Sequence, residues 1–264
     1  MADCDSLQAL LALMARLRDP DHGCPWDREQ TYATIVPHTI EEAYEVADAI
    51  AREDWAELRD ELGDLLFQVV FYAQIAREEG RFEFEDVARG IVEKMTRRHP
   101  HVFADARYAD ADEQTAAWER LKAAEKAESP TGVLEGVPLA LPALTRAVKL
   151  QKKASKVGFD WGALEPILAK IEEEIGEIRH EITTCAPAER LADELGDVLF
   201  AVANLARHLK LDPEAALRGT NQKFERRFRR IEQWLAEDGR APAQSTLAEM
   251  DALWDRAKIA EKPT

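Results

Sequence analysis

DELGDLLFQVVFYAQ, residues 60–74, and DELGDVLFAVANLAR, residues 193–207, are two versions of one helix. Each opens on the same five residues and runs on into an apolar core pattern. Glu61 and Asp64 lie three residues apart, as do Glu194 and Asp197, so each acidic pair shares one helix face. Upstream, EEAYE at 41–45 is matched by EEIGE at 173–177. Downstream, Lys94, Arg97 and Arg98 are matched by Lys223, Arg226 and Arg227. A last element, Trp118, Lys122, Glu125 and Lys126, is matched by Trp254, Lys258, Glu261 and Lys262. The offset is 132 from Glu42 to Glu174, 133 from Asp64 to Asp197, 129 from Lys94 to Lys223 and 136 from Trp118 to Trp254. A shift so nearly constant across separate elements marks a duplicated domain, and it makes chance clustering of acids a poor explanation.

The 264 residues therefore divide into two domains, each long enough to bury its own core. Lys and Arg number 35 against 51 Asp and Glu, a net charge of −16. Such a surface repels nucleic acid and suits cations, or small anions that arrive with a metal. Three cysteines, Cys4, Cys24 and Cys185, form no CxxC pair. That argues against a disulfide framework or zinc ribbon and fits a reducing compartment. The start, MADCDSLQALLALMARLRD, lacks the basic opening of a secretory signal. No apolar run reaches the length needed to span a membrane. The expectation is a cytoplasmic protein with no membrane partner.

Helical periodicity dominates and no strand-like alternation stands out, so the fold class is all-α. The pattern predicts helices over 37–52, 55–79, 84–98 and 112–128 in copy one, after an apolar stripe of Leu7, Leu10, Leu11, Met14 and Leu17. In copy two it predicts 143–156, 164–183, 188–209, 213–235 and 247–261. Pro130, Gly132, Gly136, Pro138 and Pro142 mark 129–142 as a linker between domains 1–128 and 143–264. Cys24-Pro25-Trp26-Asp27 and Gly158-Phe159-Asp160-Trp161 read as turns ahead of the two copies, and His99-Pro100-His101 as a helix end.

Glu42 and Glu45 point together on one helix, and Glu61 and Asp64 on the next. Short connections make consecutive helices antiparallel neighbours, so the four carboxylates converge. Glu174, Glu177, Glu194 and Asp197 repeat the set. Four carboxylates that close repel one another, and a divalent cation relieves the repulsion. All donors are oxygen, which selects a hard ion: Mg²⁺, with Mn²⁺ as a substitute. One isolated ExxE would read as a solvated acidic face; two pairs on adjacent helices, duplicated, point to metal.

Lys223, Arg226 and Arg227 cluster on one helix. Two readings stand: a phosphate site built from arginine forks and a lysine point charge, or a surface ion-pair network with Glu225 and Glu232. Trp254 and Trp118 read either as core or as platforms for a base. Asn204 lies two turns beyond Asp197, where copy one has Phe71. A polar residue in an apolar stripe needs a partner, so Asn204 is either a satisfied core amide or a contact for a sugar or base. Carboxylates from four helices also occur in di-iron oxidoreductases, but those need ExxH pairs, and none of the four acidic pairs here ends in histidine. A non-catalytic helical scaffold is the other alternative.

EExxE followed by ExxD on successive helices resembles the MazG family of nucleoside triphosphate pyrophosphohydrolases. HGCPWDREQT, KMTRRHPHVF, KVGFDW, DELGDVLFAVANLARH and NQKFERRF reinforce the likeness along the whole chain. The resemblance implies two tandem MazG-like helix bundles of the all-α NTP pyrophosphatase type. It also implies Mg²⁺ dependence and hydrolysis of NTP to NMP plus pyrophosphate. It makes Glu174, Glu177, Glu194 and Asp197 the metal ligands, and it matches Lys170, Arg190, Lys223, Arg227 and Trp254 to nucleotide-contacting positions. Activity is then expected in the C-terminal copy, with the N-terminal copy helping to form a homodimer. The chain departs from that division in one respect, since copy one keeps Glu42, Glu45, Glu61, Asp64 and the basic trio. In the expected chemistry water attacks the α-phosphorus, Glu173 takes its proton, and Lys223 and Arg227 stabilise the departing pyrophosphate.

Overall fold

The computed structural model describes residues 6–110, 113–115, 117, 118, 120, 121 and 132–261. Among these the structure is helix, turn and loop, with no strand. The chain divides into two compact units, Met1–Glu128 and Ser129–Thr264.

In the first unit the helices are α1 (Ser6–Leu17), α2 (Pro25–Glu29), α3 (Tyr32–Ala51), α4 (Trp55–Glu78), α5 (Phe84–Arg98) and α6 (Pro100–Phe103). The α3–α4 hairpin is its spine. Glu53 turns the chain with a φ of 56°, and the Asp54 side chain caps α4 by accepting from the Glu57 N–H at 3.1 Å. Met14, Ile35, Val70, Phe71 and Ile75 form the buried core, with Leu10, Leu11, Phe67 and Phe84 against it. Thr39 Oγ1 and the Tyr72 hydroxyl, 2.8 Å apart, tie α3 to α4 at the end where Ile35 meets Phe71.

The second unit holds α7 (Ala143–Ser155), α8 (Leu164–Thr183), α9 (Ala188–His208), α10 (Pro213–Glu237), a single 3₁₀ turn (Pro242–Gln244) and α11 (Leu247–Ala260). Its α8–α9 hairpin repeats α3–α4, with Cys185 at φ 52° in the connection. Asp212 caps α10 ahead of Pro213, and Thr246 and Glu249 form a capping box at α11. Within 132–142, the Glu135 carbonyl accepts from Lys153 of α7.

The bounds of α5 and α8 match the periodicity. α3 does not start at Pro37. The Thr31–Thr34 capping box starts it at Tyr32 and leaves Pro37 inside the helix. The two threonines cap the end, ahead of the range 37–52 that periodicity gave. Interior proline removes the bond to the Ala33 carbonyl, at a cost of about 3 kcal/mol. The turn at Cys24–Asp27 is the start of α2, with Pro25 at its first position, and Pro100 likewise opens α6. Lys122, Glu125, Lys126 and Lys262 lie outside the described residues, as does most of the helix expected at 112–128.

Candidate active site

Helix α8 carries Lys170, Glu173, Glu174 and Glu177 over two turns, and α9 carries Arg190, Glu194 and Asp197. Pairing the two helices brings one oxygen each of Glu174, Glu194 and Asp197 within 4.8 Å of one another. Glu174 and Glu194 are only 5 % and 6 % exposed, and Glu174 Oε2 is buried without a hydrogen-bond partner. A buried, unpartnered oxygen on a carboxylate grouped with two others is costly unless a cation answers the group. The donor set therefore fits a hard divalent ion. Glu177 stands beside this trio. Loss of solvent, then the charges of Glu174 and Glu194, push its carboxyl above the usual range.

Two cations touch the same carboxylates. Lys170 Nζ lies 2.8 Å from Glu174 Oε1 and 3.0 Å from Glu173 Oε1. Arg190 Nη2 donates to Glu194 Oε1 and to Glu181 Oε1, both at 2.9 Å. Lys170, Glu173, Glu174, Glu177, Arg190, Glu194 and Asp197 thus come together as one site.

The basic trio belongs to another helix pair. Arg226 and Arg227 of α10 each bond Glu261 at the end of α11, at 2.8 Å. Arg227 lies 5.5 Å over the Trp254 ring, which also meets Phe224 at 5.3 Å. Lys223 is exposed on the same helix. The arginines are ion-paired, as one of the two readings had it, but with Glu261 rather than Glu225, which bonds Arg229. Asn204 is 3 % exposed and its Oδ1 accepts from Arg207 Nε at 3.0 Å. Arg207 in turn bonds Asp160, which His208 Nε2 approaches to 3.0 Å. The Asn204 oxygen is thus partnered and its side chain buried, and Asp160 anchors the Gly158–Trp161 turn to α9.

Copy one assembles a similar acidic group. Oxygens of Glu42, Glu45 and Glu61 lie within 4.8 Å of one another. Loss of solvent and then the Asp64 charge push Glu42 up; for Glu61 it is loss of solvent and then Glu45 and Asp64. The surroundings differ. At the place of Lys170 stands His38, an offset of 132, beside Glu41. At the place of Arg190 stands Glu57, an offset of 133, paired with Arg52. Gln68 replaces Ala201 and donates to Glu42 Oε1 at 3.4 Å. These exchanges were legible in the sequence through the same repeat offsets. By contrast, Phe71, opposite Asn204, is simply core. The guanidinium–indole pair recurs, with Arg98 lying 5.5 Å over Trp118.

Residues 30–103 and 163–231 each match the MazG nucleotide pyrophosphohydrolase domain. The chain belongs to the MazG family. Both carboxylate sets, Lys170, Arg190 and both basic trios fall inside the MazG segments, whereas Trp254 and Glu261 lie beyond them. Among similar proteins is the nucleoside triphosphate pyrophosphohydrolase of Escherichia coli (strain K12), 51 % identical over 259 residues, covering 97 % of this chain and 98 % of that protein. The nucleoside triphosphate pyrophosphohydrolase/pyrophosphatase MazG of Thermotoga maritima is 41 % identical over 251 residues, 95 % of each chain. A nucleoside triphosphate pyrophosphohydrolase of Mycobacterium tuberculosis is 38 % identical over 151 residues, 56 % of this chain and 45 % of its own.

Proposed function

We propose that the chain is a metal-dependent nucleoside triphosphate pyrophosphohydrolase that cleaves NTPs and dNTPs to monophosphate and pyrophosphate in its C-terminal copy. The observation that carries this reading is the Glu174–Glu194–Asp197 convergence, with its unpartnered Glu174 oxygen, in a member of the MazG family. Glu174, Glu177, Glu194 and Asp197 would hold Mg²⁺, or Mn²⁺ in its place. When bound, such an ion polarises phosphate oxygens and acidifies water. Lys170 and Arg190, already against the carboxylates, supply positive charge for the polyphosphate. Glu173 takes the proton of the attacking water. Lys223, Arg226 and Arg227 neutralise phosphate oxygens, and Trp254 offers a ring face to the base. The test is product analysis with a panel of NTPs and dNTPs. Pyrophosphate release is expected; orthophosphate alone, or no product from any of them, overturns the reading. Bound iron with a visible charge-transfer band would instead favour the di-iron class, and unchanged ligand binding without the carboxylates a scaffold.

A pH dependence follows from the raised carboxyls of Glu42, Glu61 and Glu177. A carboxyl raised in the folded state binds its proton more tightly than in the unfolded chain. Its contribution to stability is full below the unfolded value and is lost as pH rises through the folded value. At neutral pH the metal-free protein therefore carries the full repulsion, which a divalent cation relieves. Mg²⁺ is expected to raise the melting temperature at neutral pH, and the gain should shrink at acidic pH, as these raised carboxyls take up protons. An equal gain at both pH values would count against cation binding at these carboxylates.

The same reading includes a homodimer. Leu62, Leu66 and Val69 on α4 are 49 %, 40 % and 37 % exposed. The equivalent stripe on α9, Leu195, Leu199 and Val202, is 52 %, 48 % and 39 % exposed. Apolar stripes on both hairpins are surfaces that a second copy would cover. Light scattering is expected to give twice 29.8 kDa, and the mass of one chain overturns the dimer. Cys24 and Cys185 stand free, and no helix among the described residues is long and apolar enough to cross a membrane. A cytoplasmic setting, with 129–142 as the link between copies, completes the proposal.

A further inference from the structure

The arginine pair of α10 already holds an anion. Arg226 Nε donates to Glu261 Oε1 and Arg227 Nε to Glu261 Oε2, each at 2.8 Å. One guanidinium N–H for each of two oxygens on a single acid is how arginines meet a phosphate group. The contact is a tertiary one, joining residues 35 and 34 positions apart. It is also partly desolvated, since the side chains of Arg227 and Glu261 are only 16 % and 27 % exposed. A small pocket lined by Arg226, Arg227, Arg230, Ala257, Ala260 and Glu261 lies at the same place.

Local helix chemistry does not account for Glu261. It is the C-cap of α11. The partial negative charge at a helix C-terminus favours a cation there and disfavours a carboxylate. An acid that breaks the local rule is kept for something other than the helix, and here its partners are the arginines. Arg226, then Arg227, hold the Glu261 carboxyl below the usual range, so it stays charged across neutral pH.

We propose that Glu261 is an intramolecular stand-in for substrate phosphate, a built-in competitor that a polyphosphate must displace from Arg226 and Arg227. The inference rests on the reading of the basic trio as a phosphate site. Its consequence is an equal penalty on every anion that must open the pair. A triphosphate or pyrophosphate, with phosphate groups left for further contacts, binds in spite of it, whereas a monophosphate held by these arginines alone is left weakly bound. The nucleoside monophosphate product would then leave readily, as Glu261 re-closes on the arginines.

The test uses the full chain and inorganic triphosphate as the probe, with affinity read by calorimetry and KM read with an NTP. Glu261→Gln keeps the shape and removes the charge. It is expected to bind inorganic triphosphate about 3- to 10-fold more tightly and to lower KM similarly, on the scale of one charge-assisted contact. Orthophosphate affinity should rise by a similar factor, because the penalty removed is the same for every ligand that displaces Glu261. Glu261→Ala serves as the second variant and should move the same way. Unchanged or weaker triphosphate binding in both overturns the proposal and makes Glu261 a brace for the arginines. Arg227→Ala separates this from the underlying reading. If Arg227→Ala leaves triphosphate affinity and KM unchanged, the trio is not a phosphate site and both fall. If it weakens binding while Glu261→Gln gives no gain, the stand-in alone falls.

Discussion

Glu174→Gln is expected to abolish pyrophosphate release, by about 1000-fold or more, while leaving the fold intact. The side chain is 5 % exposed and offers one oxygen to Lys170 and a second, unpartnered one to the interior. Glutamine fills the same volume but brings an amide in place of the charge that would hold a cation. Removing one of several crowded carboxylates also relaxes repulsion, so the metal-free melting temperature should stay level or rise. A fall in activity together with a collapse in stability would point to packing rather than ligation. Glu177→Ala should likewise lose turnover. The matched changes in copy one, Glu42→Gln and Glu45→Ala, should leave turnover within about threefold, the scale of a surface change away from the chemistry. Equal losses from the two copies would make them equal catalysts and sink the assignment to copy two.

The helices and the acidic pairs were legible because both depend on short-range spacing. Glu61 and Asp64 share a face whatever surrounds them, and the bounds of α5 and α8 follow from caps and periodicity. Three features were not legible in that way. The expected helix began at Pro37, but the Thr31–Thr34 box begins α3 five residues earlier, at Tyr32. Arg226 and Arg227 share a helix with Glu225, yet their acid is Glu261, brought in by the packing of α11 on α10. Asn204 drew attention as a polar residue in an apolar stripe. Its neighbour Arg207, three residues on, donates to its Oδ1 and also bonds Asp160, a link that only the packed turn at 158–161 supplies. The difference between copies that bears on charge lies elsewhere. It could have been found by carrying the repeat offsets to Lys170 and Arg190.

That difference sets the second large effect. The two copies share carboxylates and basic trios, but Lys170 and Arg190 of copy two stand where copy one has His38 and Glu57. In copy two each of these cations sits 2.8–2.9 Å from a carboxylate of the acidic trio. In copy one Glu57 adds negative charge and Glu61 is pushed up in part by it. A triphosphate approaching copy one meets acids without those two cations, so like-charge repulsion opposes it even where a divalent ion is welcome. Installing the copy-one residues in copy two, as Lys170→His with Arg190→Glu, should therefore lower kcat/KM by about 100- to 10,000-fold, each lost charge-assisted contact counting for about 10- to 100-fold. The carboxylates stay, so the Mg²⁺-induced rise in melting temperature should persist. Separating the two readouts is the point of the experiment. If activity and the Mg²⁺ response vanish together, Lys170 and Arg190 serve to shape the acidic site. If the double variant keeps turnover within about threefold of the parent, a range that surface substitutions commonly leave, these cations do not meet the phosphates. The inequality of the copies must then come from a feature outside the α8–α9 hairpin.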